Sequence, residues 1–445
     1  MRIIFFSKPS YPNLLSKINK KRISVGVVGV GYVGQALIEG MADSGIKSYG
    51  FDINKDKLRN IKNSSFTPVE TLNQLNKCEV ICICVPTPID EFGKPDLTYL
   101  TKACENVSDF TGKPRLIIIE STVAPGTLRN VVLPLFERKG KKLGSNFYLA
   151  ISPERIDPGN TNFNITNTPR VVGGVDKLST TLATKFYATF IEKVVPTTSS
   201  EAAELSKMLE NTFRLVNISL VNEIKEYADS IGVDFWEVID AAATKPYAFM
   251  AHYPGPGVGG HCIPIDPVYL LEDAKNRGLD LKLTATAIKV NNVQPKKVVE
   301  KARESLNGLN KNRKPKLLVV GIAYKPNTSD TRESAGAKIL EVAENDGFEV
   351  TYFDPYVPKL NGYTSNLLNT DFLNSQDVII IATHHDNIPY ELIAKIDKPI
   401  IDTRNVMSKY LDREGVKANG PLDQGGARTK GPYSTDLLKY EGEYT

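Results

Sequence analysis

The chain has 445 residues, 41% hydrophobic and 24% charged, with a formal net charge of +4. That length exceeds one ordinary core and predicts two or three domains, while the small charge excess and the lack of an aromatic-interleaved basic patch exclude nucleic acid as an expected partner. Five cysteines, an odd number, do not make a disulfide framework and fit a reducing compartment. No apolar run reaches the roughly eighteen residues of a bilayer span, and the run Ile3 to Phe6 is too short for a signal-peptide core. A cytoplasmic protein with no membrane partner is expected.

Residues 1–22 interleave Lys17, Lys20, Lys21 and Arg22 with Leu14, Leu15 and Ile18, the spacing of a short amphipathic helix or a solvated basic leader. From Ile23 the pattern is an apolar strand, a glycine turn and a helix stopping near Gly45. Gly29, Gly31 and Gly34 form GxGxxG, with Tyr32 and Val33 between the last two. The first glycine serves a tight turn, the second lets backbone approach a pyrophosphate, and the third lets the helix pack closely. A second strand ends in Asp52, 18 residues past Gly34. A carboxylate there accepts from ribose hydroxyls and repels a 2′-phosphate, which favours NAD over NADP.

The strand EVICICVPTP carries Cys82 and Cys84 on one face, with Cys78 of the same parity just before it, a core pattern and not a metal site. Pro86 and Pro88 end it and leave Thr87 at its carboxyl end. RLIIIESTVAPGT ends in Glu120, Ser121 and Thr122, and FYLAISPERIDPGN in Glu154 and Arg155. If these strands are parallel neighbours, Thr87, Thr122 and Glu154 converge at one edge, where ligands bind in open α/β sheets.

From Ser200 the period becomes helical and runs to a stop at Gly232. Lys207 and Asn211, four apart, share a helical face. A second helix spans about Phe235 to Ala243, and 284–308 reads as a long helix kinked or interrupted at Pro295. Between them lies GPGVGGHCIPIDP, Gly255 to Pro267, whose glycines and prolines forbid regular helix and present Cys262 and Asp266. Backbone this bare lets a ligand come close, and a cysteine on such a loop is a candidate nucleophile.

After the basic linker NGLNKNRKPK the strand, loop, helix logic returns without the glycine fingerprint, and EVTYFDP ends in Asp354. Here Lys325, Asp330, Arg332 and Arg404 lie at strand ends, where cations suit a phosphate-bearing ligand. His252, His261, His384 and His385 show no HxxxH or CxxC partner, so no metal is expected.

GVVGVGYVG, CVPTP, ESTVAPGT, SPERIDPGN, ELSKMLENTFR, PGPGVGGHCIPIDP, GIAYKPNTSDTRES and DTRN occur in that order over about residues 23–406. In this the chain resembles the nucleotide-sugar 6-dehydrogenases, and SPERIDPGN with YPGPGVGGHCIPIDP is most similar to the UDP-N-acetylglucosamine branch. The resemblance implies an α/β protein of two Rossmann-like doubly wound domains joined by a central helical dimerisation region. Its divisions would be an extension over 1–22, an NAD-binding domain over 23–199, a central helical domain with the cysteine loop over 200–308, a UDP-sugar-binding domain over 309–420 and a polar tail over 421–445.

The same resemblance implies NAD as cofactor, a UDP-sugar substrate, a homodimer, and a four-electron oxidation of carbon six through a Cys262 thiohemiacetal and thioester. Lys207 and Asn211 would stabilise the oxyanion, Asp266 would order water or move a proton, Glu154 would handle protons in hydrolysis, and Thr122 would place water. Gly29, Gly31, Tyr32, Val33, Gly34, Asp52, Thr87, Thr122 and Arg332 would meet the cofactor. Glu154, Arg155, Lys207, Asn211, Tyr253, Gly257, Lys325 and Arg404 would meet the sugar nucleotide, with the loop glycines lying against the hexose. UDP-N-acetylmannosamine and UDP-glucose are alternative substrates. A two-electron β-hydroxyacid dehydrogenase and a non-catalytic nucleotide-sugar or NAD sensor are the competing functions, and neither gives Cys262 a reason to stand with Lys207 and Asp266.

Overall fold

The computed structural model describes residues 10–59, 61–156, 162–260, 262–306 and 313–411. The tail over 421–445, His261, linker residues 307–312 and the close of SPERIDPGN lie outside the described residues. The chain divides into two compact units, Met1–Asn217 with Gly260–Lys289, and Ile218–Gly259 with Val290–Thr445.

The first unit is built on eight strands: β1 (Ser24–Val28), β2 (Lys47–Phe51), β3 (Phe66–Pro68), β4 (Val80–Ile83), β5 (Arg115–Ile119), β6 (Phe147–Ile151), β7 (Arg170–Gly174) and β8 (Val194–Pro196). Their order is β3-β2-β1-β4-β5-β6-β7-β8, parallel except where β6 meets β7. Strands β4, β5 and β6 are buried along their whole length, as a parallel sheet covered on both faces requires. Alternate residues feed opposite cores: Cys82, Ile118 and Ala150 enter one, and Ile81, Ile117 and Leu149 the other. Cys78 joins the second core with Cys104, away from Cys82, because it precedes the strand and escapes its alternation.

The amphipathic reading of the leader holds for Ser10–Asn19, a helix that buries Leu14 and Ile18 in the same core as Leu182 and Phe186. Each such aliphatic side chain contributes roughly 1.5–3 kcal/mol on full burial. Lys17 reaches Glu79 at 3.0 Å, so part of the basic cluster is engaged by the fold.

The second unit carries β9 (Lys316–Val320), β10 (Glu349–Phe353), a two-stranded ribbon of β11 (Lys359–Leu360) and β12 (Tyr363–Thr364), then β13 (Val378–Ile381) and β14 (Ile400–Asp402). Its parallel sheet runs β10-β9-β13-β14. The fingerprint expected to be missing here is present in a stretched form. Gly29 and Gly321 both have positive φ, 87° and 84°, and each donates its N–H to the last residue of the neighbouring strand, Phe51 and Phe353, at 2.9 Å. A Cβ on Gly29 would stand 2.8 Å from the Cys84 carbonyl oxygen, and one on Gly321 would stand 1.9 Å from that of Thr383. Gly34 and Gly336 press on Gly29 and Gly321 respectively, with Cβ-to-oxygen distances of 2.2 and 2.6 Å. A long loop between Gly321 and Gly336 replaces the five-residue interval and hides the motif.

The acids after the second strands differ in use. Asp354 accepts from the N–H groups of Ile322, Ala323, Tyr356 and Val357 and from His385 Nε2. The tautomer of His385 follows, since its Nδ1 accepts from Asn327 N–H at 2.9 Å and leaves the proton on Nε2. His385 is therefore a buried strut.

Two long helices contribute to both units. Ser200–Ser230 passes from one to the other after Asn217, and Lys282–Glu304 does so after Lys289. The latter continues through Pro295, where a kink or an interruption was expected. Gly321→Ala combines a left-handed backbone with a carbonyl clash, so thermal and urea unfolding should show a loss of at least about 3 kcal/mol, against a loss of about 1 kcal/mol for the control Gly362→Ala, which shares the left-handed backbone without the clash. A wild-type midpoint for Gly321→Ala would contradict this reading of the turn.

Candidate active site

Because β4, β5 and β6 are parallel neighbours, Thr87, Thr122 and Glu154 all follow carboxyl ends of adjacent strands. Two hydroxyls lace these loops together. Thr87 Oγ1 donates to the Thr122 carbonyl at 2.7 Å, and Ser121 Oγ donates to the Val85 carbonyl at 2.6 Å. Tyr269 OH donates to the Pro88 carbonyl at 2.9 Å and ties in the helix Asp266–Asn276.

The helix Ser200–Ser230 presents one polar face to this edge. At 3.6 residues per turn Glu204, Lys207 and Asn211 fall together. Glu204, which sequence reasoning missed, accepts from the N–H groups of Gly126 at 2.5 Å and Leu128 at 2.8 Å and so clamps the loop that carries Thr122. Burial pushes its carboxyl up to about 7, against the pull of those two amides. Its position three residues before Lys207 was the available signal.

Asn211 Nδ2 donates to Asp266 Oδ2, and both residues are buried. Burial raises Asp266 to about 7, opposed by the charge of Lys207 and the Asn211 hydrogen bond. Lys207 is itself only 9% exposed, and its charge also acts on Glu154. Burial raises Glu154 too, against the Ile156 and Arg155 amides, each 2.6 Å from Oε1, and against Lys207. One buried ammonium thus serves two carboxylates from different elements.

Cys262 is exposed and lies four residues before Asp266, in the turn whose carbonyl accepts the Asp266 N–H at 2.9 Å. The loop before it is held within the second unit by two buried asparagines. Asn222 Oδ1 accepts Gly255 N–H at 2.9 Å, and Asn291 Oδ1 accepts Val258 N–H at 2.7 Å. Neither asparagine was singled out from the sequence, since a lone amide carries no pattern.

The loop glycines, expected to allow close approach of a sugar, also make room for protein: a Cβ on Gly255 would meet Arg404 Nη1 at 2.6 Å, and one on Gly259 would meet the Glu333 carbonyl at 2.7 Å. Gly257, at φ 111°, would meet the Asn291 carbonyl at 3.3 Å. Arg404 is anchored by Nε to the Ala382 carbonyl at 2.8 Å, and burial lowers it to about 10. Tyr253 is about half exposed and stacks on Trp236, with centroids 5.5 Å apart.

Several expected binding cations are engaged by protein. Arg155 pairs with Glu210 at 2.7 Å and donates to the Pro169 carbonyl. Arg332 pairs with Asp330 at 2.6 Å. Arg332, Lys325, Tyr253, Gly257 and Arg404 belong to the second unit, and Thr87, Thr122, Glu154, Arg155, Lys207, Asn211, Cys262 and Asp266 to the first.

The glycine turn of the first unit fits a dinucleotide. Nothing lies within 4 Å of a Cβ built on Gly31, which begins a helix without a side-chain cap, the open amino terminus a pyrophosphate requires. Tyr32 and Val33 follow in its first turn, with Tyr32 about half exposed. Asp52 accepts from Val30 N–H and Asn54 N–H, both at 2.8 Å, so its carboxylate is fixed yet keeps lone pairs for a ribose.

Among known proteins, UDP-N-acetyl-D-mannosamine dehydrogenase of Methanocaldococcus jannaschii is 36% identical, over 91% of this chain and 98% of that protein. The chain belongs to the UDP-glucose/GDP-mannose dehydrogenase family. Family models match its NAD binding domain at residues 66–191, its central domain at 201–293 and its UDP binding domain at 318–409. UDP-N-acetyl-D-glucosamine 6-dehydrogenase of Pseudomonas aeruginosa is 31% identical, over 85% of this chain and 95% of that one. A solved structure of UDP-D-ManNAc dehydrogenase from Pyrococcus horikoshii shares the fold at a TM-score of 0.77, with 33% identity, over 86% of this chain and 95% of that chain. This family member is an NAD-dependent UDP-sugar dehydrogenase, and the doubly wound fold with a central helical region is that of its relatives. Among the described residues, no helix is long and apolar enough to cross a membrane, and no group of three His, Cys, Asp or Glu could hold a metal ion.

Asp266 supplies a pH test of this geometry. Its folded value near 7 lies above its ordinary 3.8, so the native state holds a proton that the unfolded chain releases. That stabilisation is complete below about pH 4 and is lost as pH rises through 7. Asp266→Asn, neutral throughout, should match wild type in urea denaturation at low pH and exceed it by about 2–4 kcal/mol at pH 8. A pH-independent difference would overturn the assignment.

Proposed function

We propose that the chain oxidises carbon six of a UDP-N-acetylhexosamine to the carboxylate, in two successive two-electron steps through Cys262. The observation that carries this is Lys207, buried, its charge acting on both Asp266 and Glu154, on the helix face that also holds Asn211, with the exposed Cys262 four residues before Asp266. A two-electron dehydrogenase needs the lysine but not the thiol.

Bound NAD, held by Gly29, Gly31, Gly34 and Asp52, supplies the hydride acceptor for each oxidation. Lys207 stabilises the alkoxide that develops as the alcohol loses its proton, and Asp266, poised near 7, is suited to take that proton. The Cys262 thiolate then adds to the aldehyde, forming a carbon–sulfur bond while Lys207 and Asn211 hold the oxyanion. After the second oxidation leaves a thioester, Glu154 directs water to its carbonyl carbon and the carbon–sulfur bond breaks. The sum is one alcohol, two NAD+ and one water giving one carboxylate, two NADH and three protons.

Arg404, Lys325, Gly257 and Tyr253 are proposed to hold the sugar nucleotide. The sugar first expected was N-acetylglucosamine. The names of the more similar relatives favour N-acetylmannosamine, with N-acetylglucosamine and glucose as alternatives.

A homodimer is proposed through the opposite face of the long helix. Leu205, Leu209, Phe213, Leu220, Ile224 and Tyr227 are each more than 40% exposed, and at 100° per residue they fall within an arc of about 100°. An apolar stripe of that length on one helix fits a second copy of itself.

With a panel of UDP-sugars, two NADH should form per acid produced, and UDP-N-acetylmannosamine should give the highest kcat/KM; one NADH per substrate would overturn the four-electron reading. Cys262→Ser should bind NAD and UDP-sugar, the latter seen by quenching of Trp236, the chain's one tryptophan, yet make no acid. Leu209→Asp, on a 65% exposed position, should halve the mass seen by light scattering without unfolding the chain.

A further inference from the structure

Behind Glu154 stands a buried network that no step above uses. Arg170, the first residue of β7, is 2% exposed. Its Nη1 donates to Glu154 Oε2 at 2.8 Å, its Nε to Ser152 Oγ at 2.8 Å, and its Nη2 to Glu120 Oε2 and, at 3.3 Å, to the Ser152 carbonyl. Tyr187 OH donates to the other oxygen of Glu120. The guanidinium also lies 5.2 Å from the Tyr187 ring centroid. With these donors committed and almost no exposed surface, Arg170 is out of reach of a substrate.

We propose that Arg170 is a positioning residue, which fixes Glu154 as an oriented carboxylate for the hydrolytic half of the reaction, and that Glu120 competes with Glu154 for its charge. The proposal rests on the reading of Glu154 given above. Three donors arrest the carboxylate: two main-chain amides on Oε1 and Arg170 on Oε2. A carboxyl free to rotate would offer water either oxygen in many directions, so this arrest defines one. A guanidinium suits the position because its planar fork aims separate nitrogens at the two carboxylates, in directions that the single nitrogen of an ammonium does not fix.

The competition has a sign. Glu154 is faced by Arg170 from β7, Lys207 from the long helix and the thiol of Cys84 just past β4, while Arg170 is also met by Glu120 from the end of β5 and Cys82 within β4, with Tyr187 beyond Glu120. Two cations therefore serve Glu120, Glu154 and, through Lys207, Asp266. Neutralising Glu120 leaves the whole Arg170 charge to Glu154 and favours its ionised form. Shortening the fork at Arg170 does the opposite.

The test compares pH profiles and single-turnover bursts of the full chain with NAD and a UDP-sugar. Glu154→Gln should complete both oxidations, giving a burst of two NADH per site, and then stall as a thioester visible by mass. Arg170→Lys should keep that burst, with KM values within about threefold of wild type, while kcat falls about 10- to 100-fold and its acid limb moves up by about one pH unit. Glu120→Gln should move the limb down. If Glu154→Gln turns over like wild type, the reading of Glu154 fails. If it stalls while Arg170→Lys and Glu120→Gln leave the limb in place, or move it in the same direction, the role of Arg170 fails. Should Arg170→Lys not fold, the direction of the Glu120→Gln shift alone decides.

Discussion

The ammonium of Lys207 is the charge on which the rest of the site depends. A buried cation is tolerated only where carboxylates compensate it, and a carboxylate is tolerated there only because of the cation. Asp266 and Glu154 approach it from a helix and from a strand end, so the three can be assembled only when the sheet, the long helix and the cysteine loop are all in place. The same three groups therefore report on the folding of the first unit. The raised value of Asp266 is the cost of its burial, which the Lys207 charge only partly offsets.

The long helix divides its circumference between two tasks. Glu204, Lys207, Asn211 and Asn222 occupy one side, where they clamp one loop, balance charge, orient Asp266 and clamp a second loop. Leu205, Leu209 and Ile224 occupy the other, in water. Such a helix gains little from a conventional apolar face, because its buried side is largely polar. It is held by hydrogen bonds to loops, while its apolar stripe is exposed.

What the sequence disclosed was whatever is periodic or contiguous. The first glycine turn, Asp52 and the strands ending at Thr87, Thr122 and Glu154 could be read because spacing encodes them. Gly321 and Gly336 were invisible as a pair, since the loop between them breaks the spacing while each keeps its steric duty. Glu204, Arg170, Asn222 and Asn291 were missed for another reason. Each acts by a single contact to residues distant in sequence, and burial, not residue type, distinguishes it from a solvated surface group. His385 was weighed as a metal ligand and is a strut for Asp354.

Pro295 shows how an apparent flaw in a helix can be an export. Lacking an N–H, it cannot bond the carbonyl four residues earlier, which belongs to Asn291, and that carbonyl faces Gly257 while the Asn291 side chain takes Val258 N–H. Both faces of one residue thus meet the cysteine loop because of an interval of four. Adding or deleting a residue between 291 and 295 would turn the two by about 100° relative to each other and put an N–H donor where Pro295 leaves the Asn291 carbonyl unclaimed by the helix. This stretch, though helical and partly at the surface, is as intolerant of a change in length as any catalytic motif.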